Sequence, residues 1–441
     1  MIEVHTTKTD TTKNKPTAKA STKRGTKGKQ VKAPSQTDLS PTRLSTDAGG
    51  RAEMLIKQGT QQETLLSLIA ITGDYPASNI SFIIPNKDYA SRTTIRMERE
   101  GLIRQFRKDG MRSFRLTAKG KAYMVESNLA RYERYNIGKT ETNQPPGTPA
   151  RRKRVLSISE VITLMYMAGV DVYADTRPDI FGEGLNTPSP PEITHPTYYS
   201  SRDYVTGRGS RVMMLEKQPA RKEDKAPPPV PKGSRGAGVL LSPSRVFCVY
   251  NSGDVIVDWS PEVESKYRNE VRHTIVHKIC KGQYGLNPVD GIMLGSDMAL
   301  LGEYLDLSQK KARVIKMLEK TYESLYYVTS DDRGIEQLKM LSNDNLYAKF
   351  TNMILSALQP KTQSIPMSHD AMSKDGRPVT LQIIIDLPKL IRFRSALKLH
   401  GLTGQVYCFD HQADVIGRYL GVERAEILKL NFELMVKKLV K

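Results

Sequence analysis

The 441-residue chain has little of several things, and each shortage narrows what it can be. There are three cysteines, Cys248, Cys280 and Cys408, odd in number, far apart and without a CxxC pair. A disulfide frame and a thiolate zinc site are therefore not expected, and reduced thiols in a reducing compartment are. No apolar run approaches the roughly 18 residues that a membrane span needs, and the start MIEVHTTKTD lacks the apolar core of a signal peptide. The expectation is a cytoplasmic protein with no membrane partner. None of the seven histidines forms the pair flanking one apolar residue that a rolling-circle relaxase uses to hold its metal. No GxxxxGK[ST] phosphate loop is present either, which argues against an ATP motor. Tyr198 and Tyr199 have the chemistry of relaxase nucleophiles, but without that histidine pair they read as strand residues.

Positive charge, in contrast, is abundant: 67 Lys and Arg stand against 47 Asp and Glu, a formal +20. A field of that sign attracts polyanions, and nucleic acid is the first candidate. Residues 1–60 carry twelve basic and five acidic side chains and hardly an aromatic one. They read as a disordered basic arm that cannot bury enough surface to fold. A compact segment is expected over 61–135 and a linker, GKTETNQPPGTPARRKR, over 136–154. An α/β region then runs over 155–285, with a Pro-rich insertion at about 214–236, and a C-terminal α/β region over 286–441. Within them VLLSPSRVFCVYNSGDVIVDW reads as three short strands, followed by a helix over 261–281. Beyond 287 apolar runs alternate with helical patterns, which predicts crossover helices and largely parallel strands. KKARVIKMLEKTYE fits helix and strand equally.

Over 61–125 the pattern is helix, helix, helix, hairpin. The third helix is expected to turn Ile95 and Leu102 inward and to present Arg92, Thr93, Thr94, Arg96 and Arg99 outward. IRQFRK and MRSFRL alternate around Asp109-Gly110, a strong hairpin signal, with Phe106 and Phe114 toward the core. Arg104, Arg107, Lys108, Arg112 and Arg115 are left along the hairpin. Residues 86–121 hold eleven basic and four acidic side chains, gathered on the two elements that touch DNA in helix-turn-helix folds. The stretch resembles a winged-helix DNA-binding domain, and its ending RLTAKGKAY is similar to the exit from the wing in bacterial members. On that reading Arg92, Thr93, Thr94 and Arg96 meet base edges, and the hairpin cations meet phosphates. The fold class is thus α/β overall, a winged helix-turn-helix followed by an α/β domain with a mixed, partly parallel sheet.

The order of this segment, the Pro-rich linker, RRKRVLSISEVITLMYMAGV, YYSSRDYV, GSRGAGVLL and VFCVYNSG resembles the replication-relaxation family of bacterial plasmids and integrative conjugative elements, over about residues 60–260. The resemblance implies a winged helix joined to a domain similar to PD-(D/E)xK nucleases, serving plasmid replication or mobilisation. Such nucleases hold Mg²⁺ on acids of adjacent strands beside a lysine. Here those positions read Gly236-Ala237-Gly238 and Phe247-Cys248-Val249-Tyr250-Asn251, so the core is expected to be degenerate. Glu264-Ser265-Lys266 fits the ExK text but falls in a predicted helix.

Two other constellations stand beside it. Asp297, Asp332, Asp386 and Asp410 each fall at the carboxyl end of a predicted strand, where neighbouring carboxylates could share Mg²⁺ or each simply cap a helix. His273, His277 and Cys280 share a helix face at zinc-like spacing but lack a fourth ligand. The expected function is binding of double-stranded DNA in the replication, mobilisation or regulation of a mobile element, without catalysis and with no cofactor. A homodimer is compatible with it. The alternatives are a Mg²⁺-dependent nuclease or relaxase using the acidic sheet edge, and a scaffold that docks a relaxase or replication protein.

Overall fold

In the computed structural model residues 56–135, 147–180, 191–201, 203, 233–361 and 367–440 are described. The basic arm up to residue 55, linker residues 136–146 and most of the Pro-rich insertion lie outside them.

Helix α1 (Gln61–Thr72) begins where the Thr60 hydroxyl accepts from the Glu63 backbone N–H and ends at Gly73, whose φ of 75° closes the last turn. It buries Leu65, Leu66, Leu68 and Ile69. Strand β1 is only Tyr75–Pro76, followed by α2 (Ile80–Ile83) and α3 (Lys87–Arg99), which Asn86 caps through the Tyr89 N–H. Strands β2 (Ile103–Lys108) and β3 (Met111–Leu116) pair from Ile103↔Leu116 to Lys108↔Met111. Asp109 and Gly110 both take positive φ, 54° and 74°, the pair of left-handed residues that a two-residue hairpin turn requires. Strand β1 joins the far side of β3, giving the order β1-β3-β2. Thr117 then caps α4 (Ala118–Ser127) through the Gly120 N–H. A Cβ on Gly120 would sit 2.0 Å from the Leu102 carbonyl oxygen, so this glycine in the Thr-x-x-Gly exit is a packing requirement. The short α5 (Leu129–Tyr132) follows.

Helix α6 runs from Pro149 to Met167 with Thr148 as its N-cap, so the basic ARRKR stretch expected in the linker is its first turns. It touches α1, β1, β4, β5 and β6 and joins the N-terminal segment to a six-stranded sheet ordered β11-β8-β7-β6-β5-β4. Strands β4 (Thr197–Ser200), β5 (Gly236–Leu241) and β6 (Val246–Asn251) form an antiparallel meander. Strands β6, β7 (Val289–Gly295) and β8 (Leu325–Thr329) are parallel, joined by crossover helices as expected. The sheet is continuous across residue 285, where a regional boundary was expected. The third strand expected after Ser252-Gly253 does not form, and residues 252–260 are a loop instead. The helix Pro261–Val271 continues as a π-helix over Arg272–Ile279. KKARVIKMLEKTYE is helical, with Ala312–Ile315 passing into a π-helix at Lys316–Lys320.

LQIIIDL, which reads as one strand, is divided between two sheets. Its beginning ends β10 (Pro378–Leu381), parallel to β12 (Gly404–Phe409), itself parallel to β13 (Ala425–Leu430). Its end forms β11 (Ile385–Asp386), antiparallel to β8. With β9 (Ala371–Met372) the second sheet is ordered β13-β12-β10-β9. Three fully buried glutamines satisfy the backbone at the crossing. Gln382 accepts from the Asp386 N–H at 2.9 Å, while Gln337 and Gln412 both donate to the Ile383 carbonyl at 3.2 and 3.1 Å. Buried backbone groups left unmade would each cost about 1–3 kcal/mol.

Candidate nucleic-acid interface

The outer face of α3 carries Arg92, Ile95, Arg96 and Arg99, all exposed, with Ile95 at 51%. Thr93 (2%), Thr94 (7%) and Met97 face the interior, which rotates the helix relative to the expected register. Thr93 and Thr94 therefore cannot meet a base edge, and Ile95, expected inside, stands in their place. The Thr94 hydroxyl is satisfied within the helix by the Ala90 and Ser91 carbonyls at 3.1 and 3.0 Å, so a threonine can line the inner face without an unmade hydrogen bond. Hydropathy favours Ile over Thr for burial and gives no warning of this. The signal available in the sequence was Met97, three residues after Thr94 and in phase with it.

On the hairpin Arg104, Arg107, Lys108 and Arg112 are exposed. Arg107 lies directly across the ladder from Arg112. Like charges in that position destabilise a hairpin, and an anion between them relieves the repulsion. Arg96 pairs with Glu100 at 2.7 Å on the helix surface, where solvent screens the attraction.

Arg115 is different. It donates to the buried Asp74 carboxylate at 2.6 Å, and its guanidinium lies 4.8 Å from the Phe106 ring centre. Arg152 of α6, 2% exposed, stands over the same ring, also at 4.8 Å. It donates to the carbonyls of Lys108 (2.8 Å), Met111 (3.3 Å) and Phe106 (3.4 Å) and to the Ser113 hydroxyl (2.9 Å). Phe106, expected in the apolar core, is thus half-buried beside two guanidinium groups, with Asp74 compensating both charges; its carboxylate is 3.5 Å from Arg152 Nε. Arg115 is held inside this cluster rather than along the exposed side of the hairpin. Arg152, assigned to the linker by sequence, is the residue that fixes the hairpin against the body of the protein. Nothing in the basic run distinguishes the buried Arg152 from its exposed neighbours Arg151 and Lys153.

The strand-end aspartates serve helices. Asp297 caps Met298–Ser308 through the Leu300 N–H at 2.9 Å. Asp331 caps Asp332–Ser342, in which Asp332 is the first residue. Asp386 caps Leu387–His400, and Asp410 opens Asp410–Leu420, where its carboxylate accepts from the His411 N–H at 2.8 Å. Asp297 and Asp332 follow the adjacent parallel strands β7 and β8, whereas Asp386 pairs with Tyr326 near the start of β8 and Asp410 follows a strand of the other sheet, so the four do not share one sheet edge. Burial raises the Asp386 carboxyl above its usual range and pushes Asp290, which pairs with Arg245 at 2.8 Å, up to about 6. Glu264 is fully buried, accepting from the Ser234 hydroxyl (2.8 Å) and the Arg235 N–H (2.9 Å), while Lys266 is exposed. His273 and His277 are exposed and Cys280 is buried, since the π-helical turns break the expected common face. Tyr198 and Tyr199 are buried strand residues. Among the described residues no group of three or more His, Cys, Asp or Glu is placed to hold a metal ion, and no helix is long and apolar enough to cross a membrane.

No protein-family model matches the chain, and no curated protein or solved structure matches it. The resemblance to the replication-relaxation family therefore rests on the residues quoted for it.

Proposed function

We propose that this chain is a DNA-binding protein of a bacterial mobile element that acts in replication, mobilisation or their control without cutting DNA, and that α3 with the β2–β3 hairpin works as a winged helix. The observation that carries the reading is the continuous exposed surface of Arg92, Ile95, Arg96 and Arg99 on α3, beside the facing Arg107–Arg112 pair. A helix of this kind fits the major groove, where arginine reads guanine O6 and N7 and an aliphatic side chain meets the thymine methyl. The hairpin cations neutralise phosphates and set the register without reading sequence. Arg152 holds the hairpin backbone on both sides of the turn and so fixes the hairpin to α6. The engagement of Asp297 and Asp386 as helix caps supports a binder over a Mg²⁺-dependent nuclease.

The test is to incubate the purified chain with a sheared library of the element's DNA and to sequence what it retains. Enrichment of one uncut, origin-proximal fragment is the expected result. Uniform recovery would reduce the surface to a non-specific clamp, and Mg²⁺-dependent nicking would overturn the non-catalytic reading.

A further inference from the structure

A cleft with a volume of about 980 Å³ lies between the hairpin tip, one side of α6 and the loop that follows β6. That is the size of a small-molecule site, and its position is informative. Asn251 ends β6, Ser252 to Asp254 follow it and Ser296 follows β7, so the cleft sits at the carboxyl edge of two parallel strands, where open α/β sheets place ligands. Ala150, Lys153, Arg154, Ser157 and Glu160 line one wall, a stretch of helix roughly 15 Å long at 1.5 Å per residue.

The two ends of this wall differ in chemistry. At one end Arg154 donates to the Ser234 and Gly236 carbonyls (2.6 and 3.3 Å) at the entry to β5, beside the exposed Arg235. Burial, and then the Arg235 charge, lower the Arg154 guanidinium below its ordinary range; an anion placed between the two would reverse that. Asn79, 2% exposed, also lines the cleft, and its amide Nδ2 has no hydrogen-bond partner, a cost that a ligand acceptor would remove. At the other end the Glu160 carboxylate accepts from Asn251 at 2.9 Å, and Asp254 is 77% exposed, with only a 3.8 Å surface contact to Lys153. Val255, 43% exposed, supplies an apolar face nearby. Of the remaining lining carboxylates, Asp258 turns to Arg313 at 3.1 Å and Asp109 forms the hairpin turn.

We propose that this cleft is a nucleotide site: the phosphoryl group meets Arg154 and Arg235, and a base with an exocyclic amine donates to Glu160 and Asp254. A cation pair at one end and carboxylates at the other match the two poles of a cytosine, adenine or guanine nucleotide. They do not match uracil, which offers a carbonyl where cytosine offers an amine. The glycines Gly236 and Gly238 at the entry are not phosphate-binding spaces, since a Cβ on either would strike Tyr267 or the Tyr198–Tyr199 strand. The nucleotide is either free or the last one of a DNA strand; only the second source rests on the DNA-binding reading.

Calorimetric titration of the full chain with CMP, UMP and inorganic phosphate tests this. CMP should bind about tenfold more tightly than UMP, the scale of one charge-assisted hydrogen bond. Arg235→Gln, an exposed side chain, should weaken both nucleotides. Asp254→Asn, equally exposed, should narrow the gap between them. If duplex DNA with a single-stranded 3′ cytosine displaces CMP and the blunt duplex does not, the source is a strand end; if neither does, it is the free nucleotide. Arg92→Ala with Arg96→Ala should leave CMP binding unchanged, which separates this site from α3, although Arg112 of the hairpin also lines the cleft. No heat with CMP on the order of 1 mM, or inorganic phosphate binding as tightly as CMP with no difference between CMP and UMP, would overturn the proposal.

Discussion

On α3 and the outer side of the hairpin the guanidinium and ammonium groups of Arg92, Arg99, Arg107, Lys108 and Arg112 stand in solvent. At the strand ends of the α/β region the carboxylates of Asp297 and Asp386 point into the first turns of helices and accept backbone hydrogen bonds. Both are charged groups placed where a ligand could come. The difference is whether the fold already uses them, and both cases meet at the hairpin: Arg115 and, from α6, Arg152 are consumed by Asp74 and Phe106, while Arg107 and Arg112, the latter 5.9 Å from the Phe114 ring centre, face each other with no carboxylate partner among the described residues. A charge that has a structural partner is evidence about stability, and one kept exposed against its own repulsion is evidence about a ligand.

The largest effect should come from moving a residue between these classes. Arg152→Met removes a buried cation that makes four hydrogen bonds and leaves Asp74 with one partner fewer. It should cost about 3–5 kcal/mol in denaturant unfolding. A loss below about 1 kcal/mol would mean that the hairpin is not held by this cluster.

A pH dependence sharpens the acidic side of the comparison. Burial raises the Asp290 carboxyl to about 6 in the folded chain against about 3.9 unfolded. The folded state therefore holds its proton more tightly, and this contribution to stability is present below about pH 4 and lost as the pH rises toward about 6. Asp290→Asn should remove on the order of 2 kcal/mol of that decline in urea unfolding measured across this window. A decline equal to the parent's would assign it elsewhere.

Two smaller effects separate ligand-facing cations from capping carboxylates. Arg107→Ala with Arg112→Ala should reduce the log–log salt slope of DNA binding by about 1.8, at about 0.9 per phosphate contact. It should leave stability unchanged or slightly higher, because the facing charges repel. An unchanged slope would take these residues off the DNA backbone. Asp297→Ala should lose about 1 kcal/mol as a helix cap and leave DNA binding with and without Mg²⁺ as it was. A Mg²⁺-dependent loss of binding would give that carboxylate a role in a metal site.

Much of the fold is legible where the chain's local chemistry is decisive. Asp109-Gly110 fixes a two-residue turn and so the hairpin, and alternating apolar runs fix the parallel strands β6, β7 and β8 with their crossover helices. Legibility fails where a polar residue is buried with its hydrogen bonds satisfied locally. Thr94 turns inward against hydropathy, Gln382 lets one apolar run serve two sheets, and Arg152 hides in a basic stretch that looks like linker. Of the interface, the arginines of α3 and the outer hairpin cations are readable from charge and spacing, but Ile95 is not. Its exposure follows from which residues pack beneath α3, a property of the tertiary structure alone.

The central claim is that α3 reads DNA, and the most direct measurement is fluorescence anisotropy of the enriched DNA fragment with the parent chain and with Arg92→Ala/Arg96→Ala, alongside a scrambled fragment and an unfolding curve for each protein. The double variant should unfold at the parent's midpoint, bind the enriched fragment at least about tenfold more weakly, and no longer prefer it to the scrambled one. Equal affinity and preference in the two proteins would contradict that claim.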